Sequence, residues 1–182
     1  NAAIYAPQAS ATFGITYYYA EIILGGCDPK ATDVFTINTL ANPNITTSLV
    51  PTQEVCQNTI AIPLSVTATS GNTSDLNYQW YSNTVDTNSN GTLITDAEVA
   101  SYTPSTDALG TFYYYVIVSQ ATSGCSTTSN TAKVNIIPGP SITTQPLATQ
   151  DVCLDGAPNV LEVVHTKGAG TATYQWFASA TE

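Results

Sequence analysis

The sequence predicts an all-β protein built as a linear array of small antiparallel β-sandwich domains, and three observations carry that expectation. The first is an internal repeat: Tyr78-Gln79-Trp80-Tyr81 returns as Tyr174-Gln175-Trp176-Phe177, a spacing of 96 residues (176 minus 80). Val55-Cys56 likewise returns as Val152-Cys153, and Tyr17-Tyr18-Tyr19 as Tyr113-Tyr114-Tyr115. A period near 100 residues is too long for helical or propeller repeats and has the size of one small β domain. The second is composition. Charged residues make up 9% of the chain, against a usual value of roughly 25%. Thr, Ser, Asn, Val and Tyr, which favour strands and turns, take their place. The third is periodicity: no stretch sustains a 3.6-residue period, while period-2 alternation recurs between turn signals.

The same composition narrows the function classes. Apolar residues, at 43%, are enough to fill a core, so low charge does not indicate disorder. The net charge of -10 comes from 3 basic against 13 acidic residues. Nucleic acid is therefore not an expected partner, because phosphate neutralisation needs a Lys/Arg surface. No apolar run approaches the roughly 18 to 20 residues that a membrane span needs. There is no basic segment leading an apolar one, and no Met, so the chain reads as an interior piece of a longer mature protein.

Residues 1–40 read as the C-terminal half of a repeat, since Tyr5-Ala6-Pro7 aligns with Tyr102-Thr103-Pro104 and Gly14 with Gly110. Tyr17 to Ile23 alternates as a strand, with Glu21 in water and Tyr18, Ala20 and Ile22 toward the core. Asp33 to Thr39 closes that unit, and Ala41-Asn42-Pro43-Asn44 is a linker. Residues 41–138 form the complete repeat. Its expected strands are Ile45 to Val50 (interrupted at Pro51), Ile60 to Ala68 with Ile62, Leu64 and Val66 on one side, Asn77 to Ser82 around Trp80, Thr92 to Thr95, Val99 to Tyr102, Phe112 to Ser119, and Asn130 to Ile137. Asn88-Ser89-Asn90-Gly91 is a turn signal. Pro138-Gly139-Pro140 forms a second, stiff linker, and residues 139–182 repeat the N-terminal half of the domain. Each half is expected to leave an apolar sheet face uncovered unless a neighbour covers it.

Val55-Cys56, Leu64-Ser65-Val66, Tyr78-Gln79-Trp80-Tyr81, Gly110-Thr111-Phe112-Tyr113-Tyr114, Gly124-Cys125 and Ser129-Asn130, taken together, resemble the immunoglobulin-like repeats of secreted Bacteroidota surface proteins. Those include the very large gliding-motility adhesins exported by the type IX system. The resemblance covers the middle repeat and both partial ones. It implies tandem immunoglobulin-like sandwiches at the extracellular cell surface, acting as spacers or adhesive units in a stalk or filament. The implied partners are neighbouring repeats of the same polypeptide or filament, and surface glycans or proteins. One departure is plain: no Cys flanks Trp80 on the core strands, where Val66 and Tyr114 stand instead. The core is thus expected to be Trp80 packed on aliphatics and Tyr114, with Trp176 and Tyr18 in the corresponding places of the flanking repeats.

Residues that could carry chemistry are sparse. The single His, His165, aligns with Ala68 and reads as an incidental strand-end residue. One His and widely spaced cysteines make no zinc pattern, and the nearest acidic groupings lack calcium-loop spacing. There is no phosphate loop and no nucleophile elbow. The expectation is therefore a non-enzymatic segment with no metal and no cofactor. The alternative, from another class, is a carbohydrate- or protein-binding module of a secreted enzyme. Its candidate binding surface is aromatic: with Tyr114, Val116 and Val118 inward, Tyr113 and Tyr115 point outward beside Tyr81, an arrangement that could stack on a sugar or bury against another chain.

Cys56 repeats as Cys153 and Cys27 as Cys125, which implies disulfides in an oxidising setting. Two pairings are open. One is Cys56 with Cys125 inside the repeat. The other follows from the immunoglobulin-like topology, which sets these two at opposite ends of the domain: a bridge from each repeat to the next.

Overall fold

The computed structural model describes residues 4–8, 10–71, 73–166, 168 and 171–180, and among these the alternating segments become short strands without any helix. The first segment holds β1 (Gly14–Tyr18), β2 (Glu21–Ile22), β3 (Lys30–Ala31) and β4 (Phe35–Thr39). The middle holds β5 (Asn44–Thr47), β6 (Thr52–Cys56), β7 (Leu64–Ser65), β8 (Thr67–Thr69), β9 (Leu76–Asn83), β10 (Thr92–Leu93), β11 (Ser101–Tyr102), β12 (Gly110–Gln120), β13 (Ser126–Thr128) and β14 (Ala132–Ile137). The last segment holds β15 (Ile142–Thr144) and β16 (Val164–His165).

The large sheet runs β10-β9-β12-β14-β6, with β13 also on β12. Its ladders are antiparallel except β14 with β6, which is parallel. The ladders β5-β8 and β7-β11 form the facing layer, and Leu49, Leu64 and Val66 from it bury against Trp80, Val116 and Val134 of the sheet. The chain therefore changes layers between β5 and β6. Pro51 marks the crossing, because it cannot donate to a ladder. Two packed layers with a first strand shared between them make an immunoglobulin-like β-sandwich.

Trp80 is 0% exposed at the centre of this core, and its indole N–H donates to Val99 O at 2.8 Å. Tyr114, Val116 and Val118 all point inward, as their alternation predicts. The ring nearest to Trp80 is Tyr102, which was not expected there: it lies 5.8 Å from Trp80 and 5.7 Å from Tyr114, so it is the middle ring of an aromatic chain. The expected strand Ile60 to Ala68 is also revised. Ala61 is buried while Ile60 and Ile62 face water, and Leu64 and Val66 return to the core. Pro63 breaks the ladder and resets the alternation. Ile62 is instead held by a side chain: its N–H donates to Gln53 Oε1 and its carbonyl accepts from Gln53 Nε2, both at 3.0 Å.

The flanking segments reproduce parts of this sandwich residue for residue. β1 pairs β4 from Gly14↔Thr39 to Tyr18↔Phe35, while β12 pairs β14 from Gly110↔Ile136 to Tyr114↔Ala132. β2 with β3 likewise repeats β12 with β13. Gly14 and Gly110 open these hairpins at φ 149° and 134°, values that glycine adopts without strain. Tyr5 and Tyr18 lie 5.9 Å apart at 42°, matching Tyr102 and Tyr114 at 5.7 Å and 41°. In the last segment, β15 pairs β16 with Ile142↔His165 and a register shift before Thr144, as β5 pairs β8 with Ile45↔Ala68 and a shift before Thr47.

In those segments the residues at the core positions are not enclosed, and each half-repeat was expected to leave an apolar face uncovered. Trp176 is 50% exposed and Tyr18 only half-buried. Among the described residues, no tyrosine ring stacks on Trp176 as Tyr102 does on Trp80, and no tryptophan packs on the Tyr5–Tyr18 pair. The single strand expected from Tyr17 to Ile23 is broken after Tyr18, and Ile22 is exposed.

Candidate binding face and cysteine poles

The outer face of β9 and β12 carries the aromatic residues that suggested a binding surface. Tyr115 stands opposite Tyr81 in the ladder, and their rings stack at 5.1 Å and 8°. The expected exposed patch is nevertheless not there: Tyr115 is 2% exposed, and Tyr81 and Tyr113 are half-buried. The cause is the loop of residues 84–91, which folds back over the sheet. Asn83 starts it, with Oδ1 accepting from Thr84 N at 2.9 Å and Nδ2 donating to Ser89 O at 3.2 Å. Asn88 Nδ2 donates to Ser129 O at 2.9 Å, and Thr131 Oγ1 donates to Asp86 Oδ1, so the loop is tied down beyond Tyr115. Gly91 N donates to the Tyr115 hydroxyl at 3.0 Å. A Cβ at Gly91 would fall 2.8 Å from Ser82 O and 2.9 Å from the Tyr115 ring, so only glycine permits this approach.

What remains open on this face is a shallow groove of about 480 Å³, lined by Asn77, Gln79, Tyr81, Glu98, Ile117 and Ser119 among others. It offers the rings of Tyr78 and Tyr81, amide and hydroxyl groups and a carboxylate. In the core, burial pushes the Tyr114 phenol up to about 12, reinforced by Tyr102, and burial also raises Tyr102, partly offset by its bond to the Ser105 backbone. Both phenols are thus neutral hydroxyls across the physiological range. His165 lies away from this face: its Nδ1 is 2.9 Å from the Tyr174 hydroxyl, and the two rings meet edge to face at 5.5 Å. Among the described residues, no three His, Cys, Asp or Glu side chains converge as a metal site would require.

A family model described as a domain of unknown function, DUF8696, matches residues 45–138, more than half of the 182-residue chain. The chain belongs to the DUF8696 family. No curated protein matches it. Among solved structures, a segment of three immunoglobulin domains of titin, in an E-to-A mutated variant, is similar at 12% identity and a TM-score of 0.39. That alignment covers 75% of this chain and 59% of the titin segment, so the chain spans less than two thirds of it.

The DUF8696 domain carries its two cysteines at opposite ends. Cys56 ends β6 opposite Ile137, next to the linker at residues 138–140. Cys125 sits at the tip of the β12–β13 hairpin, where the buried Gln120 donates from Nε2 to Ala41 O at 2.8 Å and Thr127 Oγ1 donates to Pro43 O. The eleven residues of β12 run between these poles, a length of roughly 33 Å at about 3.3 Å per residue. A disulfide needs Cα atoms about 4.4 to 6.8 Å apart, so a bridge inside the domain is excluded by this topology. Cys27, Cys56, Cys125 and Cys153 are all free thiols here.

Side-chain amides that stand in for missing strand partners were not anticipated. Besides Gln53 on Ile62, Asn130 accepts from Leu49 N at 3.0 Å and donates to Leu49 O at 3.2 Å. Gln150 repeats the Gln53 arrangement on Asn159 in the next repeat. The signal was present in the sequence, since Gln53 and Gln150 lie at the same repeat position ahead of Cys56 and Cys153.

Proposed function

We propose that this chain is a non-catalytic structural or adhesive stretch of a long, repetitive extracellular surface protein, a stalk or filament of immunoglobulin-like repeats of the kind secreted by Bacteroidota. The observation that supports this reading best is the recurrence of register: the β1–β4 and β12–β14 ladders superpose pair for pair, and so do β5–β8 and β15–β16. A chain that rebuilds the same hairpin and tyrosine pair in its first two units, and the same bulged ladder in its last two, uses whole domains as its unit of length. The burial of Tyr115 beneath its own loop weighs against the alternative of a binding module on a secreted enzyme, because it removes most of the aromatic face that a ligand would use.

The test is the size and placement of the native polypeptide. An antibody to the DUF8696 domain should detect a band many times the 19.1 kDa of this chain, and protease added to intact cells should remove it. A native chain of a few repeats joined to a catalytic domain would favour the binding module, and a band resistant to external protease would refute the surface assignment.

A further inference from the structure

The complete repeat holds a cavity of about 420 Å³ where the edge strand β10 and the loop after β11 meet the inner face of β12. That volume lies in the range of roughly 300 to 1,000 Å³ that small-molecule sites occupy. Leu93, Ile94, Phe112 and the rings of Tyr102 and Tyr114 give it apolar and aromatic walls, and Asp107 stands at the exposed rim. Tyr114 is 5% exposed, and among the described residues its hydroxyl has no hydrogen-bond partner, although it belongs to the lining. A buried hydroxyl in that state calls for a partner inside the cavity. The Tyr102 hydroxyl is already engaged, by the Ser105 backbone. Ser105 Oγ in turn donates to Asp107 Oδ2 at 2.8 Å, which sets the carboxylate in place and leaves Oδ1 to accept from a ligand. Through Tyr102 and Ser105, the Tyr114 ring and the Asp107 carboxylate thus belong to one contiguous wall. The first repeat keeps the tyrosines as Tyr5 and Tyr18, but it has Thr16 where Phe112 stands and no carboxylate between Pro7 and Gly14. The fold itself therefore does not require Phe112 or Asp107.

We propose that this cavity binds a small organic cation, an ammonium group carried on an apolar, ring-sized body. The body fills the space between Leu93, Ile94 and Phe112, and the ammonium donates to the Asp107 carboxylate and the Tyr114 hydroxyl. The aromatic walls favour the same charge, because ring faces attract cations. An anion would find no Lys or Arg among the lining residues, in a chain with 3 basic against 13 acidic residues. A neutral apolar molecule would leave the Tyr114 hydroxyl and Asp107 unanswered, at the cost of desolvating both. One carboxylate and two phenols also fall short of the roughly six to eight oxygens that calcium takes. Tyr114 keeps its proton across the physiological range, so it serves as a neutral partner beside a single fixed negative charge. Every lining residue belongs to the complete repeat, and the site stands whether or not the parent protein is a surface filament.

Titrating the 182-residue chain with phenethylammonium chloride at constant ionic strength, followed by side-chain NMR, tests this. Resonance shifts should centre on Leu93, Ile94 and Phe112. Phenethylammonium should bind about tenfold more tightly than phenethyl alcohol, and phenylacetate should not bind. Ammonium chloride, which carries the charge without the apolar body, should not displace it. Asp107→Asn should erase the preference for the cation over the alcohol, and Tyr114→Phe should weaken the cation by about fivefold. Both substitutions nearly conserve volume, and denaturant unfolding at neutral pH checks that each variant is folded before it is titrated. No binding of phenethylammonium up to about 10 mM overturns the proposal. So does equal affinity for the alcohol, a set of shifts confined to other parts of the chain, or a cation preference that survives Asp107→Asn.

Discussion

Trp80 combines the largest buried side chain with a fixed polar contact, its indole N–H on Val99 O. Trp80→Ala should therefore destabilise the domain by about 3 to 5 kcal/mol, since it leaves a cavity and an unpaired carbonyl together. Denaturant unfolding measures this directly, and a loss below about 1 kcal/mol would show that the core does not depend on it. Tyr114 gives a second expectation, with a sign. Its folded-state value of about 12 exceeds the ordinary 10.0, so above pH 10 the unfolded chain releases a proton that the folded chain retains. Its contribution is full below pH 10 and is lost as pH rises toward 12, an effect of about 2 to 3 kcal/mol. Tyr114→Phe should flatten the alkaline decline in stability, and an unchanged decline would place its origin in other groups.

The strands of this domain are short and often interrupted, and side-chain amides bridge the interruptions. Asn130→Ala should cost about 1 to 3 kcal/mol, because it strands the backbone N–H and carbonyl of Leu49 beside the buried core. Gln53→Ala should cost less than about 1 kcal/mol, because Ile62 is exposed and water can replace the amide. Equal losses would mean that burial does not set the cost. These elements also show how far the sequence could be read. The inward set Tyr114, Val116 and Val118 was legible because β12 is long and its alternation unbroken. Ile62 was misplaced because period-2 counting ran through Pro63, where no ladder can continue. Tyr115 was assigned the correct outer side of the sheet but the wrong environment. Alternation tells which way a side chain points, while whether water reaches it depended on a loop held by Asn83, Asn88 and Gly91. Tyr102 is a repeat landmark in the sequence, yet its place between Trp80 and Tyr114 needs the two layers to be brought together.

At the scale of the whole molecule, the free thiols acquire a meaning from the poles they occupy. Cys56 opens toward the following segment, sharing a cavity wall with Pro140, Ile142 and Gln145. Cys125 lies at the end that receives the preceding linker. In an array, the Cys56 pole of one repeat faces the hairpin pole of the next, so a bridge between successive repeats satisfies the spacing that a bridge within the domain cannot. In a native polypeptide exposed to a thiol–disulfide oxidant, each pair of thiols would yield two electrons and two protons to it and close one staple per linker. Such a bond constrains the unfolded ensemble and holds the linker against pulling. The expected outcome, from peptide mapping without reduction, is Cys56 joined to the hairpin cysteine of the following repeat, and Cys125 to the β6-type cysteine of the preceding one. A Cys56–Cys125 peptide would show that the two poles come together, contrary to the β12 ladder. Full alkylation of both thiols in the native protein would overturn the staple and leave the stiff Pro138-Gly139-Pro140 linker as the connection between repeats.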